Sequence, residues 1–224
     1  MSAPTEITSP QYYTGRPEGK LARTWIVAGA TAAIVGDIFY FLAAAPLGLP
    51  DGLVLLFGLA FGPLLSLAFI GFYHFFRLHK KSVAVQTAAL FGVIAGTIVN
   101  MMIVVQAATR AAVPSEARDE LGLAWDGLNM VQLGLDVSWD IYLSAATILL
   151  GVGMLSHPRF GKIWGVVTVA VGTGLLVLNL LTFPTPPAAA GLIDLGPVIG
   201  VWYLVIAIRM LTSLKWADQR LTIS

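Results

Sequence analysis

The sequence predicts an all-α polytopic transmembrane bundle of about six spans. Three observations carry this. The chain is 57% hydrophobic and 11% charged, with a mean hydropathy of +0.82, whereas a soluble domain carries about 25% charged residues. Its apolar stretches recur at roughly 20 residues, enough for a helix to cross a hydrocarbon core. The breaks between them are proline or charge clusters that end helices.

The predicted spans are residues 25–47, 53–76, 83–108, 131–155, 163–183 and 191–211. They are separated by the Pro46 to Asp51 turn, the basic RLHKK at Arg77 to Lys81, the polar TRAAVPSEARDE at Thr109 to Glu120, SHPRFGK at Ser156 to Lys162, and FPTPP at Phe183 to Pro187. None of these gaps is long enough for a soluble domain. The organisation is a polar tail over 1–24, a six-helix transmembrane domain over 25–211, and a short basic tail over 212–224.

Lysines and arginines set the orientation. With alternating spans, Arg16, Lys20, Arg23, Arg77, Lys80, Lys81, Arg159, Lys162, Arg209, Lys215 and Arg220 share one side, and only Arg110 and Arg118 oppose them. The positive-inside rule then places both termini in the cytoplasm of a bacterial-type inner (plasma) membrane. Acids are skewed outward: Asp51, Glu116, Asp119, Glu120 and Asp126. The basic start, apolar run and Ala43-Ala44-Ala45 also resemble a cleavable signal peptide. The length of the run and its Asp37 favour a retained span.

Several polar side chains interrupt the spans. Asp136 and Asp140 are four residues apart on one helix face, extended by Asn129 and Gln132 on one side and Ser144 on the other. Such a stripe should face helices or water, not lipid. Asp37, Asn100, Asn179 and Asp194 fall at comparable depth within a turn or two. The expectation is an outward-facing, acid-rich cavity that binds a proton or cation. Asp136, Asp194 and Asp126 also suit the headgroup zone, and Asp194 suits an N-terminal cap of the last helix. Asp37 and Asp140 are deeper, with no lysine or arginine at their depth, so they read as proton carriers, cation ligands or buried hydrogen-bonding groups.

Small residues at four-residue spacing mark close helix packing: Gly58 and Gly62 with Ser66, Gly92 and Gly96, and Gly196 and Gly200. The Gly92 and Gly96 series continues to Asn100, while Ala28, Ala32 and Gly36 form a face that Asp37 misses by one residue.

Catalytic signatures are wanting. Cysteine is absent, which removes disulfides, thiolate nucleophiles and cysteine metal ligands. His74, His79 and His157 give no helical ligand pair, so neither a metal site nor a haem is indicated. HFFRLHKK reads as an interfacial anchor. A phosphate loop, a nucleophile elbow and a dinucleotide fingerprint are all missing where they could work. Nothing specifies a cofactor, and a net charge of +1 without a basic patch gives no sign of nucleic acid. The partner to expect is the lipid bilayer, with a homo-oligomer or another membrane protein as further candidates. DIFYFL from Asp37 and DIYLSA from Asp140 echo one another on oppositely directed spans. An inverted repeat would look so, but the rest of the two halves does not align and chance is the simpler reading.

The polar start, GDIFYFL at Gly36 to Leu42, SWDIYLSAATILLGVG at Ser138 to Gly153, and the basic C-terminal tail together resemble the small six-span bacterial inner-membrane proteins of families without known function. The resemblance covers most of the chain in organisation and implies no activity and no functional residue. Three functions follow from the residues. The first is a small proton- or cation-linked carrier using the acid cluster. The second is a non-catalytic subunit or scaffold binding a membrane protein, lipid or pigment through its glycine faces. The third is an intramembrane hydrolase, to which the absence of catalytic motifs gives least support.

Overall fold

The computed structural model describes residues 17–113 and 117–223. They form α1 (Pro17–Ala44), α2 (Asp51–Phe76), α3 (Val83–Ala112), α4 (Arg118–Leu121), α5 (Leu123–Met154), α6 (Gly161–Thr182), α7 (Gly196–Thr212) and α8 (Leu214–Ile223). Five helices, α1, α2, α3, α5 and α6, are each long and apolar enough to cross a membrane, and α7 with α8, bent by 56°, makes a sixth if that pair is one span. The chain is an all-α polytopic membrane protein. Side chains on its outer surface, among them Leu56, Leu90, Ile163, Val166 and Leu180, are exposed apolar groups. Water would penalise that surface, and lipid tails solvate it.

The helices form a closed ring in the order α1, α2, α3, α5, α6, α7, with α7 returning to α1. Glycines set the closest approaches. On the α2–α3 seam, a Cβ on Gly62 would lie 2.8 Å from the Asn100 Cβ, and a Cβ on Gly58 would lie 3.3 Å from Ile103. Gly96 faces Gly62 and Ser66, and Gly92 lies against the Phe69 ring. The predicted small-residue face of α1 gives way to a tighter contact. Gly29 meets Gly71 backbone to backbone, and a Cβ on Gly29 would be 2.8 Å from the Leu67 carbonyl. Gly151 and Gly165 do the same for α5 and α6. Gly196 lies nearest the Asp194 carboxyl, and Gly200 faces Asp37.

Several boundaries differ from the sequence reading. The first helix begins at Pro17 and not at residue 25, and α5 begins at Leu123, eight residues early. A run of 32 residues is about 48 Å of helix, well beyond a hydrocarbon core of about 30 Å. Hydropathy locates only the lipid-embedded part, so the amphipathic extensions escaped it. The C-terminal segment, expected as a tail, folds as α8 and buries Ala217 and Ser213. A four-residue helix, α4, occupies the polar gap before α5. Gly122 makes that junction at φ 49°, a backbone region costly for other residues. Residues 1–16 of the expected polar tail, and Arg16 and Glu116 used for orientation, lie outside the described residues.

One end of the bundle gathers the start of α1, the ends of α2 and α5, and α8. Here Arg23 pairs with Asp218 at 2.8 Å, Arg159 Nε donates to Ser213 Oγ at 3.2 Å, and Arg209 Nε donates to the Arg159 carbonyl at 3.1 Å. This is the basic face; the opposite end is the far face. The basic face is plugged by rings: Phe69, Phe72, Phe75 and Phe76 are all fully buried. His157, 1% exposed, closes the plug, with ring centroids 5.0 Å from Phe76, 5.0 Å from Trp216 and 5.4 Å from His79. Its Nδ1 accepts the Arg159 backbone N–H at 3.2 Å, while Nε2 has no partner among the described residues. Burial, reinforced by the charges of His79, Arg159 and Arg220, pushes the His157 imidazole down to about 3.

Candidate functional site

Between α1, α2, α3 and α5 the far face opens into a vestibule of about 590 Å³. Its walls follow from helical spacing. Asp51, Val54, Leu55, Gly58 and Phe61 recur on one face of α2, and Val99, Met102, Ile103, Gln106 and Arg110 on one face of α3. Tyr40 of α1 and Trp139 of α5 complete it. Asp51 and Arg110 stand at the helix ends near the mouth, and Phe61 is about 15 Å deeper along α2 at 1.5 Å per residue. Three rings form the floor. Tyr40 and Phe61 have centroids 5.1 Å apart, and Phe61 and Trp139 meet edge to face at 6.2 Å.

Phe61 is a partition. Its other side helps enclose a second cavity of about 10 Å³, lined also by Gly36, Asp37, Leu65 and Tyr203. That volume is at the lower limit for one water. Asp37 is 4% exposed, and its Oδ2 has no hydrogen-bond partner among the described residues. Gly200 of α7 lets the carboxyl approach, since a Cβ there would lie 3.4 Å from Asp37 Oδ1. Beneath the partition, the Tyr203 and Thr147 hydroxyls share a 2.5 Å hydrogen bond, and Thr147 Oγ1 also donates to the Leu143 carbonyl at 2.6 Å. Tyr203 packs on Phe69 and Phe72, where the aromatic plug of the basic face begins.

The other sequence-predicted residues divide. Asp140, 4% exposed, accepts a 2.9 Å hydrogen bond from Asn179 Nδ2, which also donates to the Leu175 carbonyl at 3.0 Å. Asn179 is fully buried and its Oδ1 has no partner among the described residues, as is also true of Ser144 Oγ one turn from Asp140. Asp136 is half-buried. Asp194 is exposed and accepts the Gly196 N–H at 2.7 Å just before α7, whose N-cap position is taken by Leu195 and not by Asp194. Asn100 stands apart: its Cβ packs toward Gly62 on the α2–α3 seam. Gln132 donates to the Asn129 side chain within the α5 stripe.

The expected acid-rich cavity therefore takes a different form. None of the six predicted polar residues lines the vestibule, whose wall is largely apolar. Asp37 lies in the small cavity that shares Phe61 with the vestibule, and Asp140 follows Trp139 in α5. Among the described residues the one ion pair is Arg23–Asp218 on the basic face, so none of their cations pairs with Asp37 or Asp140. No three His, Cys, Asp or Glu side chains among those residues are placed to hold a metal ion. A carboxylate in such a place must be compensated by a proton or by a small number of favourable contacts to a cation.

Sequence reasoning missed the partition itself, Tyr40, Phe61 and Trp139, and the Tyr203–Thr147 pair. Aromatics in apolar helices carry no local sign that three of them converge. No family model, no curated protein and no solved structure matches the chain.

Proposed function

We propose that this protein is a small proton- or cation-linked carrier of a bacterial-type inner membrane, with the basic face cytoplasmic and the vestibule opening outward. Asp37 is the principal charge-exchanging group and Asp140, held by Asn179, the second. The observation that carries this reading is the buried Asp37 carboxyl, whose Oδ2 has no partner among the described residues, set in a small cavity that shares the Phe61 side chain with an open vestibule. A site open to one side and plugged by rings on the other is what a carrier holds in one of its two access states. The orientation rests on the positive-inside rule.

The scaffold reading is weakened because the glycine faces are spent inside the molecule. Gly58, Gly62, Gly92 and Gly96 all face neighbouring helices of the same chain, and Gly200 faces Asp37. An intramembrane hydrolase would need its two acids in hydrogen-bonding reach of a shared substrate position. Asp140 is instead engaged by Asn179, and no hydrogen bond links it to Asp37 among the described residues. Reconstitution into liposomes tests the carrier. Asp37→Asn should fold and lose proton-coupled flux, and normal flux in both Asp37→Asn and Asp140→Asn removes these residues from the mechanism.

A further inference from the structure

We infer that the substrate is a lipophilic organic cation, a bulky apolar molecule with one quaternary or delocalised positive charge, bound on the aromatic floor of the vestibule. This rests on the carrier reading and names the chemical class it would move.

Shape comes first. The vestibule, at about 590 Å³ and largely apolar in its lining, falls in the range of small-molecule pockets. A bare alkali ion would lose its hydration there and find few oxygen ligands. An apolar body gains from the same wall, by burying its surface against Val54, Leu55, Val99 and Ile103.

Charge decides the sign. Asp51 and Arg110 are the only charged residues of the lining and carry opposite signs, so the vestibule wall has no net formal charge of its own. At the floor, Phe61 is shared with the small cavity that holds the buried Asp37 carboxyl, and Trp139 is followed in α5 by the buried Asp140. The Tyr40, Phe61 and Trp139 rings offer π faces, which attract cations whose charge is spread over a large apolar surface. The buried Asp37 Oδ2, without a partner among the described residues, belongs to the small cavity that Phe61 also lines. Rotation of that one ring would join the two cavities and bring the cation to the carboxylate. If Asp37 holds a proton beforehand, it leaves for vestibule water as the cation arrives, so one positive charge enters and one departs.

The test is equilibrium binding of tetraphenylphosphonium to the full chain in lipid nanodiscs, with empty nanodiscs subtracted and neutral triphenylphosphine as the size control. The inference expects saturable binding with proton release, weakened about tenfold or more by Asp37→Asn and about five- to thirtyfold by Phe61→Leu, both variants eluting as the native protein. Binding no greater than to empty nanodiscs overturns it. So does equal displacement by triphenylphosphine, which would mark the vestibule as a neutral lipid pocket, or unchanged affinity in both variants. A parallel proton-flux assay with sodium and potassium gradients separates the two claims. Asp37-dependent flux without tetraphenylphosphonium binding overturns the substrate class and leaves the carrier reading. Asp37-dependent binding without any flux supports the site and overturns transport.

Discussion

The Asn179 amide donates to the Asp140 carboxylate at 2.9 Å, joining α6 to α5 where both side chains are buried. Asn179→Leu strips this acceptor of its donor, and an unsatisfied buried group costs about 1–3 kcal/mol. The variant should melt at a lower temperature in detergent. Replacing both residues by leucine should cost less than the sum of the single changes, because neither partner is then left alone. An unchanged melting temperature for Asn179→Leu would show that the bond does not hold the helices.

The α2–α3 seam gives a second prediction. Gly62→Leu drives a side chain into Asn100 and the Gly96 backbone, and overpacking of this kind costs about 1–3 kcal/mol or more. Gly134→Ala on α5, with nothing within 4 Å of the added Cβ, should be neutral. Thermal unfolding of the pair side by side separates packing from any general intolerance of glycine substitution.

His157 predicts the pH dependence of stability. Its folded form is held neutral, pushed down from 6.5 to about 3, so the unfolded chain binds the extra proton first. The stability due to this site is therefore complete above about pH 6.5 and falls as pH drops toward about 3, by at most about 1.4 kcal/mol per unit. Melting temperatures at pH 7.5 and 5 should differ more in the native protein than in His157→Phe. Equal slopes would contradict the buried neutral imidazole.

Phe61 should govern access to Asp37. An apolar carbodiimide, read by peptide mass spectrometry, should modify Asp37 slowly in the native protein and several-fold faster in Phe61→Ala, which merges the two cavities. Equal labelling rates would mean that Phe61 is no barrier.

The five to six candidate spans were legible because lipid imposes one simple requirement, about 20 apolar residues per helix. Depth was legible for the same reason: Asp37 and Asp140 fall inside spans whatever the neighbours do. Rotation was not. The four-residue glycine spacing marked α2 and α3 faces that do meet, yet Gly29 against Gly71 escaped because neither glycine belongs to such a series. The pairing of α1 with α7 joins opposite ends of the domain and leaves no local trace. His79 and His157 look unrelated in sequence, and their cage depends on Trp216 of α8, a segment too polar for hydropathy to register.

The central claim is that Asp37 carries charge between the vestibule and the other side of the membrane. Proton movement into liposomes containing the reconstituted protein, driven by an opposing cation gradient, tests it most directly when native protein and Asp37→Asn are compared at equal incorporation. The account predicts flux in the native protein and its loss in Asp37→Asn, with the variant still folded and monodisperse. Flux through Asp37→Asn equal to that of the native protein would contradict it.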